Sequence, residues 1–327
     1  MKKTFLYFCL LFIVQTAFAA DSLYVREQQI PILIDRIDNV LYEMRIPAQK
    51  GDVLNEITIQ IGDNVNLSDI QAIRLFYSGV EAPSRKGEHF SPVTYISSHI
   101  PGNTRKALES YSVRQDEVTA PLSHTVKLTS KQPMLKGINY FWVSIQMKPE
   151  TSLLAKVATT IPNAQINNKP IDITWKGKVD ERHVGIGVRQ AGDDGSAAFR
   201  IPGLVTTNNG TLLGVYDIRY NSSVDLQEKI DIGVSRSTDK GQTWEPMRVA
   251  MTFKQTDGLP HGQNGVGDPS ILVDEKTNTI WVVAAWTHGM GNERAWWNSM
   301  PGMTPDETAQ LMLVKSEDDG KTWSEPI

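Results

Sequence analysis

"STDKGQTW", residues 237–244, and "SEDDGKTW", residues 316–323, are two copies of one pattern in this chain of 327 residues. They agree at Ser, Asp, Gly, Thr and Trp, and the second begins 79 residues after the first. That distance is roughly twice the 40–45 residues of one β-propeller blade. The repeat therefore predicts a propeller, and the hairpin of residues 270–285 is expected to belong to an intervening blade without the motif.

The residue types in each copy favour a structural role. The aspartate can accept backbone N–H groups of a turn, the glycine supplies a positive φ, and the tryptophan can pack between neighbouring sheets. Hairpin signals surround the first copy, notably Asn208-Asn209-Gly210 between two apolar strands. Because an Asn-Gly turn of two residues needs a positive φ at both central positions, we expect that conformation here.

The preceding part of the chain is also typical of β-structure. Apolar and polar residues alternate strictly in Ile57–Ile61, Trp142–Met147 and Ile171–Trp175, with turn residues between such runs. Several short strands of this kind predict a β-sandwich. We place it at residues 21–180, with residues 181–327 forming the propeller, so the fold class is all-β.

Composition and the N-terminus narrow the function classes. The net charge of −4 offers no broad basic face, which argues against nucleic-acid binding. Residues 1–20 have the pattern of a signal peptide: Lys2 and Lys3, an apolar run too short to span a bilayer, and small residues before the cleavage site. Cys9, the single cysteine, lies inside this leader. We expect an exported protein, periplasmic or secreted to the cell surface, with no integral membrane segment after cleavage.

Four charged residues stand out downstream. Arg200 lies in the apolar stretch Phe199-Arg200-Ile201-Pro202, where a charge is costly unless it faces water or a partner. It therefore either lies on a solvated edge or faces an anion. Arg219 follows the first hairpin, Asp225 lies six residues later in a polar loop, and Asp268 precedes Pro269. For the two aspartates, an ordinary turn or loop role is the alternative.

The combination of Phe199–Pro202 with the repeated S-x-D-x-G-x-T-W pattern resembles the bacterial sialidases (neuraminidases), glycoside hydrolase family 33, over residues 182–327. The resemblance implies a six-bladed propeller whose first blades are present here. The preceding sandwich is similar to the carbohydrate-binding-like domain of some of these enzymes. The activity implied is that of a retaining exo-α-sialidase, which removes terminal sialic acid from glycoproteins, glycolipids and oligosaccharides. No metal or organic cofactor is implied.

The resemblance also implies residue roles. Arg200 would be the first of three arginines that bind the sialic-acid carboxylate, and Asp225 the general acid/base. Arg219 and Asp268 would position the sugar. Asp217 competes with Asp225 for the acid role, but strand alternation places it on the same face as Arg219, so we expect it to orient Arg219. Within a long insertion, Trp296, Trp297 and Gln310 are candidates for lining the pocket, with simple packing of the insertion onto the propeller as the alternative. A short helical turn is expected near residues 305–310.

The family mechanism also needs a tyrosine nucleophile, a glutamate that activates it and two further arginines. By family order these lie beyond residue 327, so we expect the chain to be the N-terminal part of a protein whose remaining propeller completes the site. Neither Tyr216 nor Tyr220 is expected to replace the nucleophile. Two alternatives stay open: a non-catalytic propeller that binds sialic acid or another glycan, and a trans-sialidase.

Overall fold

The computed structural model describes residues 22–27, 29–80, 112–177, 181–290 and 294–327. The signal-peptide prediction falls on residues outside these ranges. The described residues are almost entirely strands and loops, which confirms the all-β prediction. The strands before residue 186 are β1 (Ser22–Glu27), β2 (Ile32–Leu33), β3 (Asn39–Ala48), β4 (Leu54–Ile61), β5 (Ile70–Val80), β6 (Val113–Thr119), β7 (Thr125–Thr129), β8 (Gly137–Met147), β9 (Lys156–Val157), β10 (Thr159–Ile166), β11 (Lys169–Pro170), β12 (Asp172–Lys176) and β13 (Arg182–Gly185).

Two sheets form the N-terminal sandwich. One has the order β12-β1-β3-β8-β5-β6 and the other β11-β10-β4-β7. The alternation predicted for Ile57–Ile61 is confirmed, because Ile57, Ile59 and Ile61 are fully buried in the core between the sheets. In β8 both faces are buried, since Trp142 on the outer face stacks on Phe76 at 4.0 Å.

The chain remains attached to the sandwich just before it enters the second region. Strand β13 pairs with β2 in parallel and with β9 in antiparallel orientation. Arg182 in β13 is buried, and its Nε and Nη1 donate to the carbonyls of Ile30 and Val40 at 2.9 and 2.8 Å. Burial lowers the pKa of Arg182 to about 10, against the opposing effect of Glu27.

The second region consists of two sheets that share one core. Blade one has the order β14-β15-β16-β17 and blade two the order β18-β19-β20. Apolar residues of both blades, including Val215, Val234 and Val282, form a single buried cluster. The elements are β14 (Ala198–Thr206), β15 (Leu212–Arg219), β16 (Ile230–Ser237), β17 (Arg248–Met251), β18 (Val266–Asp274), β19 (Thr279–Trp286), the short helix α1 (Ala295–Asn298) and β20 (Gln310–Ser316).

The two repeated motifs form nearly identical turns, as predicted. In the first, Asp239 accepts the backbone N–H of Thr243 at 2.9 Å and its hydroxyl at 2.6 Å, and Gly241 has φ +86°. Asp318 makes the same two bonds with Thr322, again at 2.9 and 2.6 Å. These hydrogen bonds hold the pKa of both Asp239 and Asp318 down at about 2. The motifs thus close the turns that follow β16 and β20.

The expected intervening blade was wrong. The hairpin of residues 270–285 lies within β18 and β19, and β19 pairs with β20, which leads directly into the second motif. The two motifs therefore belong to adjacent blades. The extra length lies in the segment between β17 and β18 and in the insertion between β19 and β20.

Two local predictions also differ from the structure. At Asn208-Asn209-Gly210 the hairpin forms, but only Gly210 has a positive φ, +81°. Thr207 and Thr211 are hydrogen-bonded across the loop at 2.8 Å, so it has three residues rather than two. Near residues 305–310 the chain makes turns, and the helix of the insertion is α1 instead. Within the described ranges, no helix has the length and apolar character needed to cross a bilayer.

Candidate functional site

A bulge before a proline interrupts the first strand of each blade. In β14 the pairing shifts between Arg200 and Gly203, and in β18 between Gly267 and Ser270. The residue before the proline has a positive φ in both, +53° at Ile201 and +56° at Asp268. Such a conformation is strained for a residue with a side chain, and strain of this kind is concentrated at functional sites. Both bulges contain or adjoin a candidate residue, Arg200 and Asp268.

Arg200 extends from the first bulge toward the loop that carries Asp225. Its Nη1 donates to Asp225 Oδ1 at 2.7 Å and to the carbonyl of Ser223 at 2.9 Å. The side chain is 42% exposed. Among the described residues its Nε and Nη2 have no hydrogen-bond partner, so the edge that forms bidentate bonds with carboxylates is not used by them.

Arg219, at the end of β15, is only 1% exposed and uses all three guanidinium nitrogens. Nε and Nη2 donate to Asp217 Oδ2 at 3.0 and 2.7 Å. Nη1 donates to Asp225 Oδ1 at 2.7 Å and to the carbonyls of Ser223 and Val224. Arg219 therefore fastens the loop of residues 223–225 to the buried carboxylate of Asp217.

Asp217 is fully buried and uses both carboxylate oxygens. Oδ2 accepts from Arg219, and Oδ1 accepts the backbone N–H of Asp268 at 2.9 Å. Burial raises the pKa of Asp217 to about 6, although the bonds from Arg219 and Asp268 favour the charged form. These hydrogen bonds confirm the predicted pairing of Asp217 with Arg219. The two side chains meet because alternate residues of β15 lie on one face.

Asp225 lies between two arginines. A single oxygen, Oδ1, accepts from Arg200 and Arg219, both at 2.7 Å. The hydrogen bond from Arg219 is the main cause that lowers the pKa of Asp225, and Arg200 acts in the same direction. The other end of the loop is also fixed, because Gln227 exchanges hydrogen bonds with Thr287. The carboxylate is 43% exposed and thus accessible from solvent.

Asp268 and the insertion complete the candidate residues. The side chain of Asp268 is exposed, while its backbone is fixed by Asp217. Helix α1 starts where the N–H of Ala295 donates to the carbonyl of Leu226, the residue after Asp225, at 2.9 Å. The insertion is therefore docked beside the Asp225 loop, and Trp297 in α1 is 70% exposed. The side chain of Trp296 lies outside the described part of the structure.

Gln310 begins β20, opposite Trp286 of β19, and its amide donates to the carbonyl of Thr308 at 2.8 Å. The structure brings Arg200, Arg219 and Asp225 into direct contact and links Asp268 to them through Asp217. The pocket roles of Trp296, Trp297 and Gln310 stay predictions.

The tyrosines next to this cluster are engaged elsewhere. Tyr216 is hydrogen-bonded to Ser235 at 2.6 Å, and Tyr220 donates to Asp231 Oδ2 at 2.9 Å. Burial raises the pKa of both phenols, which opposes the formation of a tyrosinate. His261 is hydrogen-bonded to Asp231 at 2.8 Å. Within the described residues, no group of His, Cys, Asp and Glu side chains is arranged to hold a metal.

The sandwich has a groove of about 440 Å³ that is lined by both polar and apolar residues. Arg74 lines it and donates to Glu117 at 2.7 Å, to Gln146 at 2.6 Å and to the carbonyl of Ile37 at 3.0 Å. These bonds hold the polar groups of the groove in fixed positions. Binding of carbohydrate by the sandwich stays a prediction.

The contact between Asp217 and Arg219 follows from the sequence, because residues two apart on a strand lie on one face. The link between Asp268 and Asp217 had no signal in the sequence. The bond from Asp268 to Asp217 joins two blades and depends on the bulge in β18. The repeated pairing of a positive-φ residue with a proline, Ile201-Pro202 and Asp268-Pro269, is visible only in the fold.

Comparisons with known proteins agree with this architecture. Two family models match: the N-terminal domain of BNR-repeat neuraminidase at residues 20–170, and the BNR repeat-like domain at residues 201–327. A sialidase of Bacteroides fragilis (strain YCH46) is 57% identical over 100% of this chain, which covers 61% of that protein. A sialidase of Paraclostridium sordellii is 36% identical over 39% of this chain and 29% of its own length.

Among solved structures, the Hadza microbial sialidase Hz136 is 60% identical and superimposes with a TM-score of 0.80. The match covers 93% of this chain and 59% of that one. The blades and the repeat matches define a BNR-repeat propeller protein. Its likeness to these relatives is more specific: over nearly its whole length the chain is similar to sialidases (neuraminidases). It spans about three fifths of the length of the two relatives that match nearly all of it.

Proposed function

We propose that the full-length protein is an exo-α-sialidase that hydrolyses terminal sialic acid from glycoproteins, glycolipids and oligosaccharides. The observation that supports this most strongly is the convergence of Arg200 and Arg219 on one oxygen of Asp225, both at 2.7 Å. Beside that oxygen, Arg200 keeps the Nε–Nη2 edge for a ligand. Sialic acid differs from neutral sugars by its carboxylate, which suits a planar guanidinium donor.

The ion pair of Arg200 and Asp225 links substrate binding to the pKa of Asp225, the proposed general acid. A general acid has to hold its proton at working pH, whereas the two arginines lower the pKa of Asp225 in the ligand-free site. A substrate carboxylate on the Nε–Nη2 edge partly neutralises Arg200 and places a second negative charge near Asp225. This like charge and the exclusion of water both raise the pKa of Asp225, so that it can protonate the leaving oxygen.

The remaining chemistry is proposed by resemblance to the family. Asp225 would next activate water to break a tyrosyl intermediate, with retention of configuration, and Arg219 and Asp268 would position the sugar. Sialidases are known exceptions to glycosidases with paired carboxylates, because their nucleophile is a tyrosine. We also propose that the protein is exported, on the basis of the leader pattern in residues 1–20.

The test is activity of the full-length protein on two sialosides that share a sugar but differ in leaving group. Sialyllactose has a poor alkyl leaving group, and 4-methylumbelliferyl sialoside has a good aryl one. In Asp225→Asn we expect kcat on sialyllactose to fall by about 10²- to 10⁴-fold, the usual contribution of a general acid. The loss on the aryl sialoside is expected to be much smaller.

Asp274→Asn is the matched control, because Asp274 is the last residue of β18 and its carboxylate accepts from Lys276 and Thr277 in the turn that follows. It should leave both activities unchanged. Equal losses on both substrates in Asp225→Asn would remove the general-acid role. Binding without turnover by the wild type would instead identify a non-catalytic sialic-acid propeller, and transfer of the sugar to added lactose would identify a trans-sialidase.

A further inference from the structure

The carboxylate of Asp217 contacts both halves of the candidate site. Arg219 belongs to blade one and Asp268 to blade two, and each donates to a different oxygen of Asp217. The residue is fully buried and so has no route to a substrate in the solvent-exposed cluster. Its influence therefore passes through its two partners.

The first partner transmits that influence to Asp225. The guanidinium of Arg219 is buried, and Asp217 is the carboxylate bonded to its Nε and Nη2. Only Nη1 reaches the loop of residues 223–225. A buried guanidinium without its counter-charge has to find another partner or move toward water. The Nη1 donor group would then leave Asp225.

The second partner is a backbone group in a strained conformation. The N–H of Asp268 donates to Asp217 Oδ1, and φ at Asp268 is +56°. A non-glycine residue keeps such a conformation only where its surroundings enforce it. Gly267 contributes by its lack of a side chain, since a Cβ there would lie 3.4 Å from Asp217 and 3.3 Å from Leu226. The bond to Asp217 thus helps to fix the direction in which the exposed side chain of Asp268 leaves the bulge.

We propose that Asp217 is a positioning residue of the site: through Arg219 it holds the Asp225 loop, and through the backbone of Asp268 it fixes the adjoining blade. This rests on the proposed sialidase function. The carboxylate itself takes no part in bond making or breaking. Its removal should impair proton transfer by Asp225 before it impairs recognition of the sugar carboxylate by Arg200.

The test is Asp217→Asn in the full-length protein, because asparagine has nearly the same shape but cannot accept from both donors. We expect kcat on sialyllactose to fall by about 10- to 100-fold, the usual effect of a misplaced catalytic group. The loss on the aryl sialoside should be several times smaller. In the double variant with Asp225→Asn, removal of Asp217 should cause no further loss on sialyllactose.

Asp231→Asn is the matched control. Asp231 lies on the neighbouring strand β16, is 3% exposed and also has two partners, Tyr220 and His261, which lie apart from the bonds to Asp225. It should lower stability without changing the ratio of the two activities. A ratio that shifts as much as in Asp217→Asn would show that general loosening of blade one is sufficient.

Three results would overturn the inference: equal losses on both sialosides, multiplicative losses in the double variant, or a crystal structure of Asp217→Asn with Arg219 still bonded to Asp225. The crystal structure decides the matter even if the wild type has no sialidase activity, which would contradict the proposed function alone. If Asp217→Asn does not fold, Arg219→Lys tests the same link. It should show the same dependence on leaving group, and its absence would equally refute the role.

Discussion

Replacement of Arg200 by alanine tests how the site recognises an anion. Two of its donors, Nε and Nη2, are left unpaired by the described residues, and two charge-assisted hydrogen bonds contribute about 1.5–3 kcal/mol each. Binding also weakens the ion pair between Arg200 Nη1 and Asp225, whose side chains are 42% and 43% exposed, so that this pair contributes at most about 1 kcal/mol. With part of the gain lost to ordering, we expect Arg200→Ala to weaken binding of a carboxylate ligand by about 2–4 kcal/mol, or about 30- to 700-fold.

The assay is calorimetry with 2-deoxy-2,3-didehydro-N-acetylneuraminic acid and with its methyl ester, which lacks the negative charge. The wild type should prefer the acid strongly, and Arg200→Ala should reduce this preference by the same factor of about 30 to 700, because its effect depends on the ligand's negative charge. Arg200→Lys keeps the charge but not the planar pair of donors, so its affinity should be intermediate. Arg114→Ala, at an arginine 55% exposed on the sandwich, is the control. A change below about threefold in Arg200→Ala would refute the reasoning, since it corresponds to less than about 0.7 kcal/mol.

Two further predictions concern stability. Gly233→Ala should destabilise the protein by about 2–3 kcal/mol in urea unfolding, because its Cβ would lie 2.5 Å from the buried ring of Tyr216. Gly214→Ala is the control and should change the stability little, since the nearest atom to its Cβ would be 3.6 Å away. Equal losses of stability in the two variants would contradict the packing argument. The pKa of Asp217 is about 6 in the folded protein, compared with an ordinary value of 3.8. Because the folded state therefore binds this proton more tightly, the contribution of Asp217 to stability is greatest below about pH 4 and declines as pH rises to about 6. Relative to Asp217→Asn, the wild type should lose about 3 kcal/mol of unfolding free energy across that range, and a constant difference would show that burial does not raise this pKa.

The sequence was sufficient for the strands, the motif turns and the composition of the candidate cluster. Strand alternation and turn residues are local properties, and they predicted β4, the first hairpin and the turns around Asp239 and Asp318. In the cluster, Arg200 was predicted from a charge that is unusual in an apolar strand, whereas Arg219, Asp225 and Asp268 were predicted from the resemblance to sialidases. Asp217 joined it because two residues of spacing on a strand means one face.

What the sequence did not predict depends on distance along the chain or on small differences in loop length. The 79 residues between the two motifs suggested a spacing of two blades. The motifs are only one blade apart, because long connecting segments account for the additional residues. The loop at Gly210 has one residue more than the Asn-Gly pattern implied. The bond from Asp268 to Asp217 is tertiary, and the positive φ at Asp268 is a conformation that the residue before a proline does not prefer.

The bulge in β18 has a consequence for how the site can be observed. Where the strand pairing is interrupted, the amide proton of Asp268 is held by a side chain rather than by the neighbouring strand. Its rate of exchange with solvent deuterium therefore reports on every opening that breaks the bond to the buried carboxylate. This single amide follows the contact between the two blades in the resting protein, without a substrate, an inhibitor or a substitution.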